Sequence, residues 1–182
     1  ENATKVIENN FLSGVTEAYM PLGDLIIKFN NIAGTKNYRR SLDLSKGVAS
    51  VEFETAKTKY TREIFSSYPD KLIAIKLAAY GEEKLKLSIT FACQLHSICG
   101  TDGNKIYISG ECPSATQHNG KDMPEVYYCE DERRGIQFLA GAAVHTDGKI
   151  IDNLQSLEIS DASEIIIYFT AETSFNGYDR HP

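Results

Sequence analysis

The stretch YTREIFSSYPDKLIAIKL, which spans Tyr60–Leu77, has two interpretations that differ in whether the chain performs chemistry. Arg62, Glu63 and the two serines that follow could supply a cation, an acid and a nucleophile. The same letters also form two apolar-rich runs around Tyr-Pro-Asp, and proline favours the second position of a turn. Neighbouring residues on a strand point to opposite faces, so Arg62 and Glu63 could not act on one ligand. The stretch therefore predicts a β-hairpin rather than a catalytic cluster.

Alternating apolar and polar residues continue on both sides of this hairpin. A period of two is typical of strands that bury one face. The inward face of the second such run is predicted to hold Tyr38, Arg40, Leu42 and Leu44. The chain is thus predicted to consist mainly of half-buried strands. The runs lie at 25–29, 38–44, 49–53, 73–77, 85–93, 106–108, 136–144 and 165–169.

Short turn signals separate these runs. Asp102-Gly103 and Asp147-Gly148 are Asp-Gly pairs, which favour tight hairpin turns. Many short alternating strands joined by close turns predict an all-β fold, an antiparallel β-sandwich.

One short helix is predicted at the N-terminus. Apolar residues recur there at helical spacing from Ala3 to Phe11, and Gly14 could end the helix. After that glycine the period changes to two, so no second helix is expected.

Composition and charge exclude some classes of partner. The 182 residues carry 19 basic and 25 acidic side chains, a net charge of -6, so a nucleic-acid partner is not expected. No apolar run is long enough to span a membrane, and the first residues do not resemble a signal peptide. The chain also lacks an initiator Met, so we expect an excised piece of a longer protein.

The four cysteines show no metal-binding spacing and no disulfide framework. Cys93, Cys99, Cys112 and Cys129 lack a CxxC pair, and no His pair lies at zinc spacing. We expect free thiols, no metal and no cofactor. Free thiols favour a reducing compartment such as the cytoplasm, although secretion stays open because the true N-terminus is missing.

Candidate acids and bases are sparse, and we expect no catalytic residue. Glycoside chemistry needs two carboxyl groups facing one cleft, but Glu82-Glu83 and the acidic run 130–132 are typical of solvated loops. His145 precedes a turn and is predicted to be exposed. His96 and His181 are isolated, and His181 lies in the tail.

The strand end at Ser114 and the long loop at 116–124 are the best places for contact with a ligand. Ser114 follows Cys112-Pro113 at the end of a strand and has no base near it in sequence, so it is not predicted to be a nucleophile. His118 lies in the longest loop of the chain. Ser114 and His118 are therefore the candidate substrate-binding residues.

Three motifs, taken in their order along the chain, resemble one known family and are more specific than the strand pattern of a generic sandwich. YMPLGDLIIKF (Tyr19–Phe29), NYRRSLDLSKGVASVEF (Asn37–Phe53) and the opening hairpin are similar to the N-terminal domain of glycoside hydrolase family 95, the α-L-fucosidase group. The later pieces SGECPS (Ser109–Ser114), RGIQFLAGAAV (Arg134–Val144) and EIIIYFTAETSF (Glu164–Phe175) fit the same resemblance. It covers nearly the whole chain.

The resemblance implies one domain of a larger enzyme. Residues 1–175 would form a β-sandwich of the super-sandwich type, truncated at its front, and 176–182 would begin a linker to an (α/α)6 barrel. Such enzymes remove terminal fucose from glycans by an inverting route, and their catalytic residues lie in the barrel. The barrel and a fucosylated glycan are thus the implied partners, and this fragment alone is expected to be inactive.

Two features of this chain depart from the family pattern. A Pro-Leu-Gly-Asn-Gly motif at the front is absent, and Ala115 stands where the family often has a histidine after Pro-Ser. The alternatives are a stand-alone carbohydrate-binding module, with Tyr127 and Tyr128 as exposed aromatic candidates, or an oligomerising sandwich without a ligand. The absence of Trp counts against a sugar-stacking platform.

Overall fold

The structure is a computed structural model that describes residues 2–10, 20–30, 32–116, 126–129, 134–177 and 180. No helix among these residues is long and apolar enough to cross a membrane. The elements within these ranges are α1 Asn2–Asn10, β1 Asp24–Phe29, β2 Lys36–Asp43, β3 Val48–Glu54, β4 Thr58–Ser67, β5 Leu72–Gly81, β6 Leu85–Ala92, β7 His96–Asp102, β8 Lys105–Glu111, β9 Ala115–Thr116, β10 Val126–Tyr127, β11 Gln137–Thr146, β12 Lys149–Asp152, β13 Ser156–Ala162 and β14 Glu164–Thr173.

Two sheets of unequal size form the fold. The large sheet has the order β2-β3-β4-β5-β14-β11-β8-β7, and the small sheet has the order β1-β6-β13-β12. A separate two-stranded ribbon pairs β9 with β10. Every pairing is antiparallel in the described part of the chain. The predicted antiparallel β-sandwich with one short helix is confirmed.

The core lies between the inner faces of the two sheets. Leu87 and Ile89 of β6 are fully buried, as are Ile165 and Ile167 of β14 on the facing sheet. Full burial of one such side chain stabilises the fold by about 1.5–3 kcal/mol. The period of two seen in the sequence is the direct cause, because alternate side chains of each strand point into this layer.

The opening stretch forms the predicted hairpin between β4 and β5. Ser67 pairs with Leu72, which leaves a four-residue turn in which the Lys71 N–H donates to the Tyr68 carbonyl at 3.3 Å. Lys71 has a φ of 52°, a left-handed conformation that lets the chain reverse.

Arg62 and Glu63 point to opposite faces, as predicted. The Arg62 guanidinium lies over the Phe29 ring, 4.2 Å from its centroid, and 5.3 Å from that of Phe53. Burial lowers the pKa of Arg62 in this position. Glu63 pairs in register with Lys76 on the outer face. The two side chains therefore serve packing on separate sides of the sheet.

The prediction that 38–44 buries one face is wrong. Every residue of β2 is exposed, including Tyr38 and Leu42, and Leu44 lies in the turn that follows. The strand is the edge of an eight-stranded sheet that faces only four strands, so no second layer covers it within the described residues.

The two Asp-Gly pairs behave differently. Asp102-Gly103 lies at a true hairpin, since Asp102 pairs with Lys105 across β7 and β8. Asp147-Gly148 instead joins β11 of the large sheet to β12 of the small sheet, so the hairpin predicted there is wrong. Asp-Gly fixes a local chain reversal, but the partner of each strand is set by the burial of its apolar face.

The cysteines and the helix complete the comparison with the sequence. All four cysteines are free thiols, and each is half-buried. Helix α1 spans Asn2–Asn10 with Val6 and Ile7 exposed, while Phe11 and Gly14 lie outside the described residues.

Candidate functional site

A cleft of about 370 Å³ opens at one end of the large sheet, where β7, β8 and β11 meet. Glu111 at the end of β8 pairs in register with His96 on one side and with Gln137 on the other. Residues directly opposite each other share a face, so these three polar side chains come together on the outer face. The cleft is lined by His96, Ser97, Ile98, Ser109, Gly110, Glu111, Arg134, Gln137 and Phe138.

Arg134 holds the carboxylate of Glu111. Its Nε donates to Glu111 Oε2 at 2.9 Å, and the Glu111 side chain is 23% exposed. Gln137, with its amide oxygen turned toward the guanidinium, accepts from Arg134 Nη1 at 3.0 Å. His96 Nδ1 lies 3.9 Å from Glu111 Oε1. The cleft therefore presents one carboxylate that Arg134 holds by a charge-assisted hydrogen bond, with His96 and Gln137 beside it.

An aromatic platform stands beside the cleft. The His96 and Tyr128 rings stack with centroids 3.5 Å apart and planes 11° apart. The His96 backbone N–H also donates to the Tyr128 hydroxyl at 3.3 Å. Tyr128 is 32 residues from His96 along the chain, so no local pattern in the sequence predicts this pair.

Two glycines let the backbone segments of the cleft approach closely. A Cβ at Gly110 would lie 2.2 Å from the His96 carbonyl oxygen, and one at Gly135 would lie 1.9 Å from the Cys112 carbonyl oxygen. Both glycines belong to the SGECPS and RGIQFLAGAAV motifs. Glycine is needed here because no other residue leaves room for these contacts.

Ser114 and Cys112 play structural parts in the loop that follows Glu111. Ser114 Oγ accepts from the Cys129 backbone N–H at 2.8 Å, which ties the loop to the segment that carries Tyr128. Ser114 does not line the cleft. Burial raises the pKa of the Cys112 thiol, and a neutral buried thiol is a poor nucleophile. The other candidate, His118, lies outside the described residues.

The remaining sequence candidates lie apart from the cleft. Glu82 is exposed and pairs with Lys57 at 2.9 Å. Glu83 is half-buried and accepts from the Tyr60 hydroxyl at 3.0 Å, so it stabilises a turn. His145 is exposed, as predicted, with its ring edge-on to Tyr168. The acidic run 130–132 and His181 lie outside the described residues.

The chemistry available to the cleft is recognition of a polar ligand. Among the described residues that line it, Glu111 is the only carboxylate, and Arg134 occupies one of its oxygens. Glycoside hydrolysis needs a second carboxyl group across the scissile bond. In the described part of the chain, no three His, Cys, Asp or Glu side chains are grouped to hold a metal.

The chain matches a family model over most of its length and is similar to proteins named as α-fucosidases. Residues 1–178 match the family model described as "Glycosyl hydrolase family 65, N-terminal domain". The protein named Alpha-L-fucosidase 2 of Arabidopsis thaliana is 27% identical over 94% of this chain. Proteins named Probable alpha-fucosidase A are 37% identical over 34% of the chain in Aspergillus niger and 36% identical over 36% of it in Aspergillus oryzae.

The chain corresponds to a small part of each of these relatives. It spans 23% of the length of the Arabidopsis protein, 8% of the Aspergillus niger protein and 10% of the Aspergillus oryzae protein. Most of each relative therefore lies outside the region that is similar to this chain.

Proposed function

We propose that this chain, which belongs to the family of glycosyl hydrolase family 65 N-terminal domains, is the N-terminal β-sandwich domain of an α-L-fucosidase of glycoside hydrolase family 95. The observation that carries the proposal is the 27% identity to an Arabidopsis α-L-fucosidase over 94% of the chain. The two Aspergillus relatives, also named as α-fucosidases, support the same assignment.

The domain is proposed to be non-catalytic. Inverting hydrolysis uses one carboxylic acid and one carboxylate on opposite faces of the sugar. The cleft offers only Glu111 among its described residues, and Arg134 is bonded to it at 2.9 Å. The resemblance to glycoside hydrolase family 95 implies that the catalytic pair lies in an (α/α)6 barrel elsewhere in the longer polypeptide.

The role proposed for the domain is to support that barrel and to lend a loop to the rim of its pocket. The loop is the one after Glu111, which contains Ser114 and His118. The hydrogen bond from Cys129 to Ser114 supports this role, because it fixes where the loop leaves the sheet. A terminal fucose on a glycan is the proposed substrate.

The test uses the full-length gene product with para-nitrophenyl α-L-fucoside and the matching α-L-galactoside. We expect hydrolysis of the fucoside, with the β-anomer of fucose formed first in a time-resolved NMR spectrum. An α-anomer formed first would overturn the inverting assignment. Failure to hydrolyse the fucoside, whether or not the galactoside is hydrolysed, would overturn the fucosidase assignment.

A second candidate function is sugar binding by the domain itself. The stacked His96 and Tyr128 rings beside the cleft favour it, because aromatic faces and hydrogen-bond donors together suit a sugar ring. Titration calorimetry of the 182-residue chain with L-fucose separates the two functions. Heat of binding that is present in the parent chain and disappears in a Tyr128→Ala variant would support sugar binding. If the parent chain releases or takes up no heat, the domain supports the barrel without binding sugar.

A further inference from the structure

The outer face of the small sheet is suited to water. Its two large apolar side chains, Ile26 and Ile151, pair in register with Thr90 and Glu158. Polar side chains therefore flank the large apolar ones across this face, as expected for an antiparallel sheet with one covered side. The other residues of this face are Asp24, Lys28, Lys86, Ser88, Ala92, Lys149, Ser156 and Ser160.

The outer face of the large sheet is different. The register places Phe65, Ala74, Tyr168 and Ala143 side by side across four central strands. Leu139, farther along β11, is 55% exposed and lies between Glu172 and Ser109 at the border of this surface. An apolar row of this kind is typical of a sheet that is covered on both sides. The small sheet covers only the inner side.

Two hollows of about 380 Å³ each lie on this outer face. Tyr168 lines both and forms the ridge between them. Phe65 borders one hollow, and Tyr107 and Gly141 border the other. Charged side chains stand at the edges of both hollows: Asp43, Lys46, Glu63 and Lys76 at the first, and Asp70 and Lys105 at the second. The size of the hollows suits side chains that project from an apposed surface.

Gly141 lines one hollow, and no contact with the described residues requires a glycine there. Its φ is not in the left-handed region, and an added Cβ would meet its nearest neighbours, in Ile106 and Tyr107, at 3.7 and 4.0 Å. Those distances are ordinary contacts, so alanine would fit. A glycine in the interior of a strand weakens the sheet and often marks close approach by another surface.

We propose that the outer face of the large sheet, from Phe65 to Leu139, is the docking surface for another domain of the same, longer polypeptide. Apolar side chains of that domain would pack against Phe65, Tyr107 and Tyr168 inside the two hollows, and polar ones would meet the charged residues at their edges. This inference rests on the proposed function, in which the chain is one domain of a multidomain enzyme. It adds which face of the sandwich the rest of the enzyme covers.

Two observations favour this occupant. The chain spans 23% of the Arabidopsis relative, so most of such a protein lies outside the sandwich. Strand β14 runs through the centre of the proposed surface, and beyond it the Ser174 N–H donates to the Gln137 carbonyl at 2.9 Å. The residues just after β14 therefore stay paired with the large sheet beside this face, and a domain tethered nearby would have a high effective concentration there.

The experiment compares Leu139→Glu with Ile151→Glu in the full-length gene product. The two positions are matched, because each side chain is 55% exposed and each lies on the outer face of its sheet. We expect Leu139→Glu to lower the unfolding temperature by several degrees and to speed protease cleavage between domains. Ile151→Glu should change neither, since Ile151 faces water.

A second variant, Gly141→Leu, places a leucine side chain in the hollow that Gly141 lines beside Tyr107. We expect it to lower the unfolding temperature of the full-length protein but not that of the 182-residue chain, where the side chain meets open space. A loss in the short chain as large as that in the full-length protein would overturn the proposal, because the effect would then be local.

Three other outcomes would also overturn the docking proposal. The first is equal behaviour of Leu139→Glu and Ile151→Glu in the full-length protein. The second is self-association of the 182-residue chain that Leu139→Glu abolishes, which would assign the face to a second copy. The third is an NMR shift of Tyr107 and Tyr168 on adding L-fucose, which would assign this face to sugar binding.

Absence of fucoside hydrolysis by the unsubstituted protein would overturn the proposed function instead. The stability comparison would still decide whether the face is a docking surface.

Discussion

Asp147 links the two sheets through a single carboxylate oxygen. Its Oδ1 accepts from the backbone N–H groups of Ser163 at 2.8 Å and Glu164 at 3.0 Å. These bonds, that from Glu164 first, lower the pKa of Asp147 because they favour the charged form. The carboxylate therefore stabilises the fold fully above its ordinary pKa, and this contribution is lost as the pH falls through the lowered pKa.

We predict that Asp147→Asn is less stable than the parent chain near neutral pH and that the difference shrinks in acid. The asparagine keeps one acceptor oxygen but loses the charge that strengthens both bonds. Urea denaturation at a series of pH values measures the difference. A difference that stays constant from neutral pH to well below the ordinary aspartate pKa would contradict this account.

Tyr60 is the largest polar side chain that the core buries completely. Its hydroxyl donates to Glu83 Oε2 at 3.0 Å, and Thr55 Oγ1 donates to the same oxygen at 2.7 Å. Burial, followed by the nearby Glu83, raises the pKa of Tyr60 to about 12. The hydroxyl therefore remains a donor throughout the neutral range.

We predict that Tyr60→Phe lowers the free energy of unfolding by about 1.5 kcal/mol, the lower end of the range for a hydrogen bond to a charged group. The ring still packs against Phe53, whose centroid is 5.1 Å away, so the loss comes from the hydroxyl alone. Tyr80→Phe is the control, since Tyr80 is largely exposed. Chemical denaturation measures both, and equal effects would argue against the buried bond.

At the scale of the element, strand β6 gives the clearest agreement between sequence and structure. Leu85, Leu87 and Ile89 alternate with polar residues in the sequence, and all three are buried. The strand lies between β1 and β13 in the small sheet, so its inner face meets the large sheet along its whole length. Periodicity succeeds here because one layer covers the whole strand.

We predict that Leu87→Ala lowers the free energy of unfolding by about 2–5 kcal/mol, through lost burial and the cavity left behind. Leu87 has no exposed surface, whereas Leu44 in the turn after β2 is largely exposed. Leu44→Ala should therefore change stability by less than about 0.5 kcal/mol. Thermal or urea unfolding of both variants checks the contrast, and comparable losses would show that β6 is not at the centre of the core.

Strand β2 shows where periodicity fails. Tyr38 and Leu42 alternate as if one face were covered, yet both are exposed at the edge of the large sheet. The pattern within a strand says which residues share a face, but not whether another layer lies opposite. The hairpin predicted at Asp147-Gly148 is wrong for the same reason. The residues of the turn do not indicate that the next strand belongs to the other sheet.

At the scale of the whole molecule, the sequence predicted the fold class but not the site. The SGECPS and RGIQFLAGAAV motifs contain Glu111 and Arg134, and they did indicate the family. The ion pair between Glu111 and Arg134 forms because β8 lies next to β11, with Glu111 opposite Gln137. The same residue lies opposite His96 of β7. No local pattern in the sequence specifies this register. Of the predicted ligand residues, Ser114 lies next to the cleft in sequence but does not line it.

We propose that this domain is part of an α-L-fucosidase and does not itself hydrolyse a fucoside. The direct test compares the full-length gene product with the purified 182-residue chain, at equal molar concentration, on para-nitrophenyl α-L-fucoside. The account predicts release of para-nitrophenol by the full-length protein and none by the short chain. Release by the short chain that disappears in a Glu111→Gln variant would contradict it.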